Sequence, residues 1–311
     1  MISFDRYFLH LPPLNKEKDF NTFWDKAIAE LKKIPIEPVL KKDPKSSTHR
    51  FTAYEAHFTG YIKTRIGGHI LIPNGKDKPR VIIHIHDYNK PVSISQNFLD
   101  DSSAYFFLTL RGHDVLPKIQ ADTPQSPGYV IENILDRDTY YAKAVYLDVL
   151  RSIDMLRLVA DVNCSSIGMM GTGFGAAAAL FSAAYSDRVM ALVLDAPSFC
   201  YLSLSQNIST NEATGEINEF IASRKSRKKE IKRNLSYFDA LNFSDRITCP
   251  VLAVTGFKDT VSPPECVFAL FNHLLAEKTV EVYPDEGYGA GGEQQLRKSI
   301  GWLTRRINAD R

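Results

Sequence analysis

The stretch Ile167-Gly-Met-Met-Gly171-Thr-Gly173-Phe-Gly175-Ala-Ala-Ala-Ala-Leu180 decides how the rest of the chain is read. A short apolar run predicts a buried strand, the three alternating glycines a tight turn, and the four alanines a helix that packs closely beneath it. Strand, sharp turn and small-residue helix form the setting of a nucleophile elbow, whose pattern is G-x-S-x-G. Here the pattern reads G-T-G-F-G, so the apex is Gly173 and carries no oxygen.

Working outward, short apolar runs recur on both sides of this turn: Val81–His86, Ala104–Leu110, Ser166–Met170, Met190–Leu194, Val251–Thr255 and Val280–Tyr283. They are too continuous for a half-exposed sheet, and helical segments separate them. Both features suit central strands of a parallel sheet covered on both faces. The fold class expected is α/β, a doubly wound and mostly parallel sheet. Before it, Phe51, Tyr54, Phe58, Ile66, Ile70 and Ile72, interrupted by Gly60 and Gly67-Gly68, predict an antiparallel strand pair between Arg50 and Pro73.

The helices are also legible. Phe20, Phe23, Trp24, Ile28 and Leu31 recur at helical spacing between Asp19 and Lys33, giving an amphipathic N-terminal arm over residues 1–50. Asp138 is placed to cap a long helix with Tyr141, Val145, Leu147, Leu150, Ile153, Leu156 and Val159 on its buried side. A last helix carries Leu296, Ile300, Leu303 and Ile307. No strand pattern is found over 198–248, which is expected to be a cap-like insertion within a single domain spanning 1–311.

Composition narrows the function. The chain has 311 residues, 44% apolar and 24% charged, as in a large globular core, and a net charge of +2 argues against nucleic acid or membrane as partner. The basic run Arg224–Arg233 has Ile221, Ile231 and Leu235 around it, as suits a helix with a solvated outer face. There is no run of eighteen apolar residues and no signal-like order at Met1–Tyr7, so a cytoplasmic location is expected unless a leader was trimmed. Cys164, Cys200, Cys249 and Cys266 lack metal or disulfide spacing and are expected to be free thiols. His84-Ile-His86-Asp87 places two histidines on one side of a strand, a weak metal signal without a third ligand; no metal or cofactor is expected.

Beyond the elbow, DFNTFWDKAIAE (19–30), HFTGYIKTRIGGHILIP (57–73), DYN (87–89), LRGH (110–113), RDTYYAKAVYLD (137–148), LSYFDALNF (235–243) and GFKDTVSPPECVFALFN (256–272) together span most of the chain. With these motifs the chain resembles the acetyl xylan esterase and cephalosporin C deacetylase family, carbohydrate esterase family seven, of the α/β-hydrolase fold. The resemblance implies removal of acetyl groups from sugars by a Ser-His-Asp triad, and assembly as hexamers. It places the acid at Asp259, the nucleophile at Gly173, and the histidine at Tyr288 within Tyr283-Pro-Asp-Glu-Gly-Tyr288. It places the oxyanion donors on the backbone of Tyr88 and Phe174.

Gly173 has nothing to attack with, and a tyrosine is a poor general base near neutral pH. Thr172 beside the apex, His273 in an apolar helical run, Glu286 near Tyr288 and Arg111 are read as structural before catalytic. The expectation is a non-catalytic homologue that binds a small acylated ligand or sugar in the vacated pocket. Such a chain can equally assemble as a homo-oligomer or with an active paralogue. The alternative is an ester hydrolase of altered or residual mechanism.

Overall fold

A computed structural model describes residues 5–90, 96–113 and 128–309. Among them, nine strands form one sheet: β1 (Val39–Lys42), β2 (Phe51–Thr59), β3 (Arg65–Pro73), β4 (Arg80–Ile85), β5 (Ser103–Leu108), β6 (Asn163–Thr172), β7 (Val189–Asp195), β8 (Val251–Gly256) and β9 (Lys278–Tyr283). Their order is β1-β2-β3-β5-β4-β6-β7-β8-β9. β1, β2 and β3 pair antiparallel, as do β3 and β5; every pairing from β5 through β9 is parallel. The expected antiparallel pair and the six apolar strands are all present. The edge strand β1 lies outside those expectations: its four exposed residues carry no alternation to read.

The period of two along a strand sorts the core into two layers. Val81, Ile83 and Ile85 of β4, with Ala104, Phe106 and Leu108 of β5, join the larger core. That core is closed by α2 (Phe20–Leu31), α3 (Tyr141–Leu156) and α4 (Phe174–Tyr185), which follow the short α1 (Asp5–Phe8). Ile82, Tyr105, Phe107 and Met170 face the opposite side, where Ile300, Leu303 and Ile307 of the C-terminal helix cover them. The sheet is therefore doubly wound. No described helix is long and apolar enough to cross a membrane.

Between β7 and β8 the chain is helical: α5 (Leu202–Ile208), α6 (Glu212–Ser223), α7 (Lys228–Ser236) and a tight helical stretch Ala240–Arg246. α8 (Pro264–His273) and α9 (Gly292–Asn308) complete the order. The basic run falls largely on α7, where Ile231 and Leu235 are buried and Arg227 pairs with Glu230 outside. One local expectation fails. α3 begins after Tyr140, and Asp138 lies in the preceding turn, where it pairs with Lys143 rather than capping the helix.

Candidate active site

The turn between β6 and α4 is built by its glycines. Gly173 holds φ 55° and ψ −120°, outside the left-handed region that other residues tolerate, so any side chain here sits on a strained backbone. At Gly175 a Cβ would come within 2.4 Å of the His86 carbonyl oxygen, so the start of α4 abuts the end of β4. That contact brings Asp87 and Tyr88, which follow β4, over the apex.

The space above Gly173 is filled. A Cβ built there would lie 2.0 Å from Asp87 Oδ1. The backbone N–H groups of Phe174 and Tyr88 both donate to that same oxygen, each at 2.7 Å. Two N–H groups converging on one point is the geometry of an oxyanion hole, and the distance is the one such a hole requires. Phe174 is the first residue of α4, so the positive end of the helix also faces the carboxylate. The expectation of a vacated pocket with free donors is corrected: the side chain of Asp87, only 4% exposed, occupies it.

Tyr288 completes this arrangement. Its hydroxyl donates to Asp87 Oδ2 at 2.5 Å. Burial, with the Asp87 charge beside it, raises the Tyr288 phenol far above its ordinary value, so it is a donor and not a base. Burial also raises Asp87, against the three donors that favour its charged form.

Asp259 lies in the turn after β8. Val261 and Ser262 donate their N–H groups to its Oδ1 at 2.8 and 2.9 Å, while its buried Oδ2 has no partner. Asp195 ends β7, where the Thr172 hydroxyl donates to its Oδ2 at 3.3 Å. Burial pushes Asp195 up to about 6, and the charges of Asp87 and Asp259 add to the shift. Burial raises Asp259 as well, again with Asp87 adding. The hydrogen-bond donors to these three carboxylates are backbone N–H groups and hydroxyls rather than cationic side chains.

The remaining candidates are structural. His273 bonds the Pro12 carbonyl at 2.6 Å, tying α8 to the N-terminal arm. Glu286 accepts from the N–H of Gly291 and so closes its own loop. Arg111 grips Asp148 through Nε and Nη2 and also donates to Thr64 and to the Tyr61 carbonyl, bracing three segments. His86 accepts at Nε2 from the N–H of Leu110 and donates from Nδ1 to the Asp87 carbonyl, leaving no nitrogen for a metal. His84 lines a different cavity, against α9. Among the described residues no group of three His, Cys, Asp or Glu side chains is arranged to hold a metal ion. The four cysteines are buried free thiols. Tyr88 uses its hydroxyl to reach Glu216 of α6 at 3.0 Å, which fastens the insertion over the site.

Two residues of the site, Asp87 and Asp195, carry no assigned role in the sequence analysis, although Asp87 stands in two of its motifs. Each is an acidic residue at or just past the C-terminal end of an apolar parallel strand, the rim where ligands of such sheets bind. That position is the signal by which they are found.

A family model described as acetyl xylan esterase matches residues 7–306. The chain is 25% identical to the acetyl esterase Axe7A of Xylanibacter ruminicola, over 96% of its own length and 69% of that protein. Among solved structures it superposes on an acetyl xylan esterase from Paenibacillus sp. R4 with a TM-score of 0.87 and 26% identity, covering 97% of this chain and all of that one. Acetyl xylan esterase 1 from Thermoanaerobacterium sp. JW/SL YS485 gives a TM-score of 0.86 at 23% identity, with 99% of both chains covered.

Proposed function

Because the chain belongs to the acetyl xylan esterase family, we propose that it is a non-hydrolytic member, with Gly173, Tyr288 and Asp259 at the positions of nucleophile, histidine and acid. The observation that carries this reading is the Asp87 carboxylate seated above Gly173 on both backbone donors. Ester hydrolysis through a covalent intermediate needs an oxygen at the apex, a base to take its proton, and free donors for the negative charge that develops on the carbonyl. Here the apex has no side chain, Tyr288 keeps its proton and donates a hydrogen bond with it to a carboxylate, and the backbone donors already hold that carboxylate.

The three features are mutually consistent. Asp87 satisfies two N–H groups that an empty elbow would leave exposed, and Gly173 leaves room for it. Tyr288, reaching Asp87, satisfies the second carboxylate oxygen. Asp259 Oδ2, which a triad histidine would contact, is left unpaired.

The seated carboxylate supports one of the two non-catalytic roles over the other. An acylated ligand or sugar reaches the donors only by displacing Asp87, which costs its charge three hydrogen bonds. A role in assembly, as a homo-oligomer or with an active paralogue, makes no such demand and is the reading favoured.

Assaying the purified chain with p-nitrophenyl acetate and acetylated xylo-oligosaccharides tests the proposal. The expected rate is that of buffer alone. A turnover near that of an ordinary enzyme, on the order of 10 per second, would overturn it and leave the alternative, a hydrolase of altered mechanism with Asp259 Oδ2 as its base.

A further inference from the structure

On the side of the sheet away from α4, between β4, β5, β6 and α9, lies a cavity of about 610 Å³, within the range of small-molecule sites. Phe107, Met170, Leu296 and Ile300 make it apolar. At the end nearest the strand termini its wall is polar, formed by His84, Thr172, Asp195 and Glu293. His84 and Asp195 sit deep within the protein yet keep accessible surface, and the cavity wall accounts for it. His84 Nδ1 is buried with no hydrogen-bond partner. Asp195 has one long bond from Thr172 for a carboxylate with two oxygens. No lysine or arginine stands among the described residues that line the cavity.

A buried carboxylate without a cation and a buried imidazole without a partner are each unfavourable in an empty cavity. Two carboxylates and a neutral imidazole accept hydrogen bonds and repel anions. A molecule with a cationic donor at one end and hydrocarbon at the other relieves both deficits and fills the apolar remainder. We propose that this cavity binds a small apolar amine, its ammonium head between Asp195 and His84 and its tail along Phe107, Met170, Leu296 and Ile300. The cavity adjoins the turn at Gly173 through Thr172 and Asp195 but lies on the side of the sheet away from α4, and the proposal stands whether or not that turn hydrolyses esters.

Calorimetric titration of the full chain near neutral pH with 2-phenylethylamine, 2-phenylethanol and 3-phenylpropionate tests it. The amine is expected to bind with a submillimolar dissociation constant and to raise the melting temperature. The alcohol is expected to bind at least about tenfold more weakly, and the carboxylate not measurably. Asp195→Asn, checked for its fold by circular dichroism, is expected to weaken the amine by at least about tenfold. Equal binding of amine and carboxylate, an undiminished amine affinity in Asp195→Asn, or no heat with any of the three would overturn the proposal. The comparison among the three ligands uses the unaltered chain and so decides the matter even if the variant unfolds.

Discussion

At the scale of single residues, Asp87 governs the site, and the way to show it is to remove it. Installing Gly173→Ser and Tyr288→His alone forces a serine Cβ against Asp87 Oδ1 and leaves both backbone donors engaged. Adding Asp87→Ala frees them, and Asp259 Oδ2 stands ready to orient the new histidine. Since one lost oxyanion donor costs on the order of 10²–10³ in turnover, the triple variant is expected to exceed the double variant by at least about a hundredfold on p-nitrophenyl acetate. Equal rates in two folded variants would place the obstacle elsewhere. Asp195 supports a second prediction. Its raised folded value, about 6, means that the folded state binds the proton more tightly than the unfolded chain does. Its contribution is therefore fully favourable below about pH 4 and is lost as pH rises through about 6. Asn mimics the protonated form, so Asp195→Asn is expected to be more stable than the parent at about pH 8 by on the order of 3 kcal/mol, and equal to it near pH 3. Urea unfolding at both values checks this, and a difference independent of pH would refute it. The absences at 173 and 288 were legible in the sequence because a turn motif and a chain order define where the groups belong. Asp87 was not, because its role depends on the close approach of two loops that a linear pattern does not encode.

Among elements, the helices show where sequence patterns suffice and where they stop. The apolar spacing of Phe20, Phe23, Trp24 and Leu31 foretold α2, and the structure buries all four against the body. Strand runs were equally readable because parallel strands buried on both faces are nearly continuous in apolar residues. β1 was missed because an exposed four-residue edge has no burial pattern, and the start of α3 was misplaced because Asp138 found an ion pair with Lys143 in preference to a cap. The arm that carries α2 belongs to the core. Trp24 is fully buried, donates from Nε1 to the Tyr237 carbonyl at 3.0 Å and lies 4.4 Å from the Phe181 ring centroid. Trp24→Ala removes that ring and leaves a carbonyl unsatisfied. A loss of about 3–5 kcal/mol in unfolding free energy is expected by chemical denaturation, and a loss below about 1 kcal/mol would show that the arm is an appendage rather than part of the domain.

In a non-hydrolytic member of the family, as proposed above, assembly is a property of the molecule that does not depend on Asp87. Two adjacent apolar residues, Val39 and Leu40, are exposed on β1; the other large apolar residues exposed among those described, Phe8, Leu9, Leu11, Ile62, Leu158, Ile208 and Leu275, lie elsewhere, the first three on the arm that packs against α8 towards the opposite edge of the sheet. β1 is also an edge strand, and its outer side pairs with no other strand among the described residues. A single exposed leucine is unremarkable, but Val39 and Leu40 side by side on an open edge are the kind of surface that oligomers cover. The family resemblance supplies the number six, and closed cyclic or dihedral symmetry is the usual way to bury one repeated patch. Light scattering on the purified 35.0 kDa chain is therefore expected to give about 210 kDa. The double variant Val39→Lys with Leu40→Lys is expected to shift that mass downward while circular dichroism stays unchanged. A monomeric parent would remove self-assembly as the retained role. The same measurement on material purified from its source then discriminates further, because a mass that no whole number of 35.0 kDa chains can supply requires a second kind of subunit.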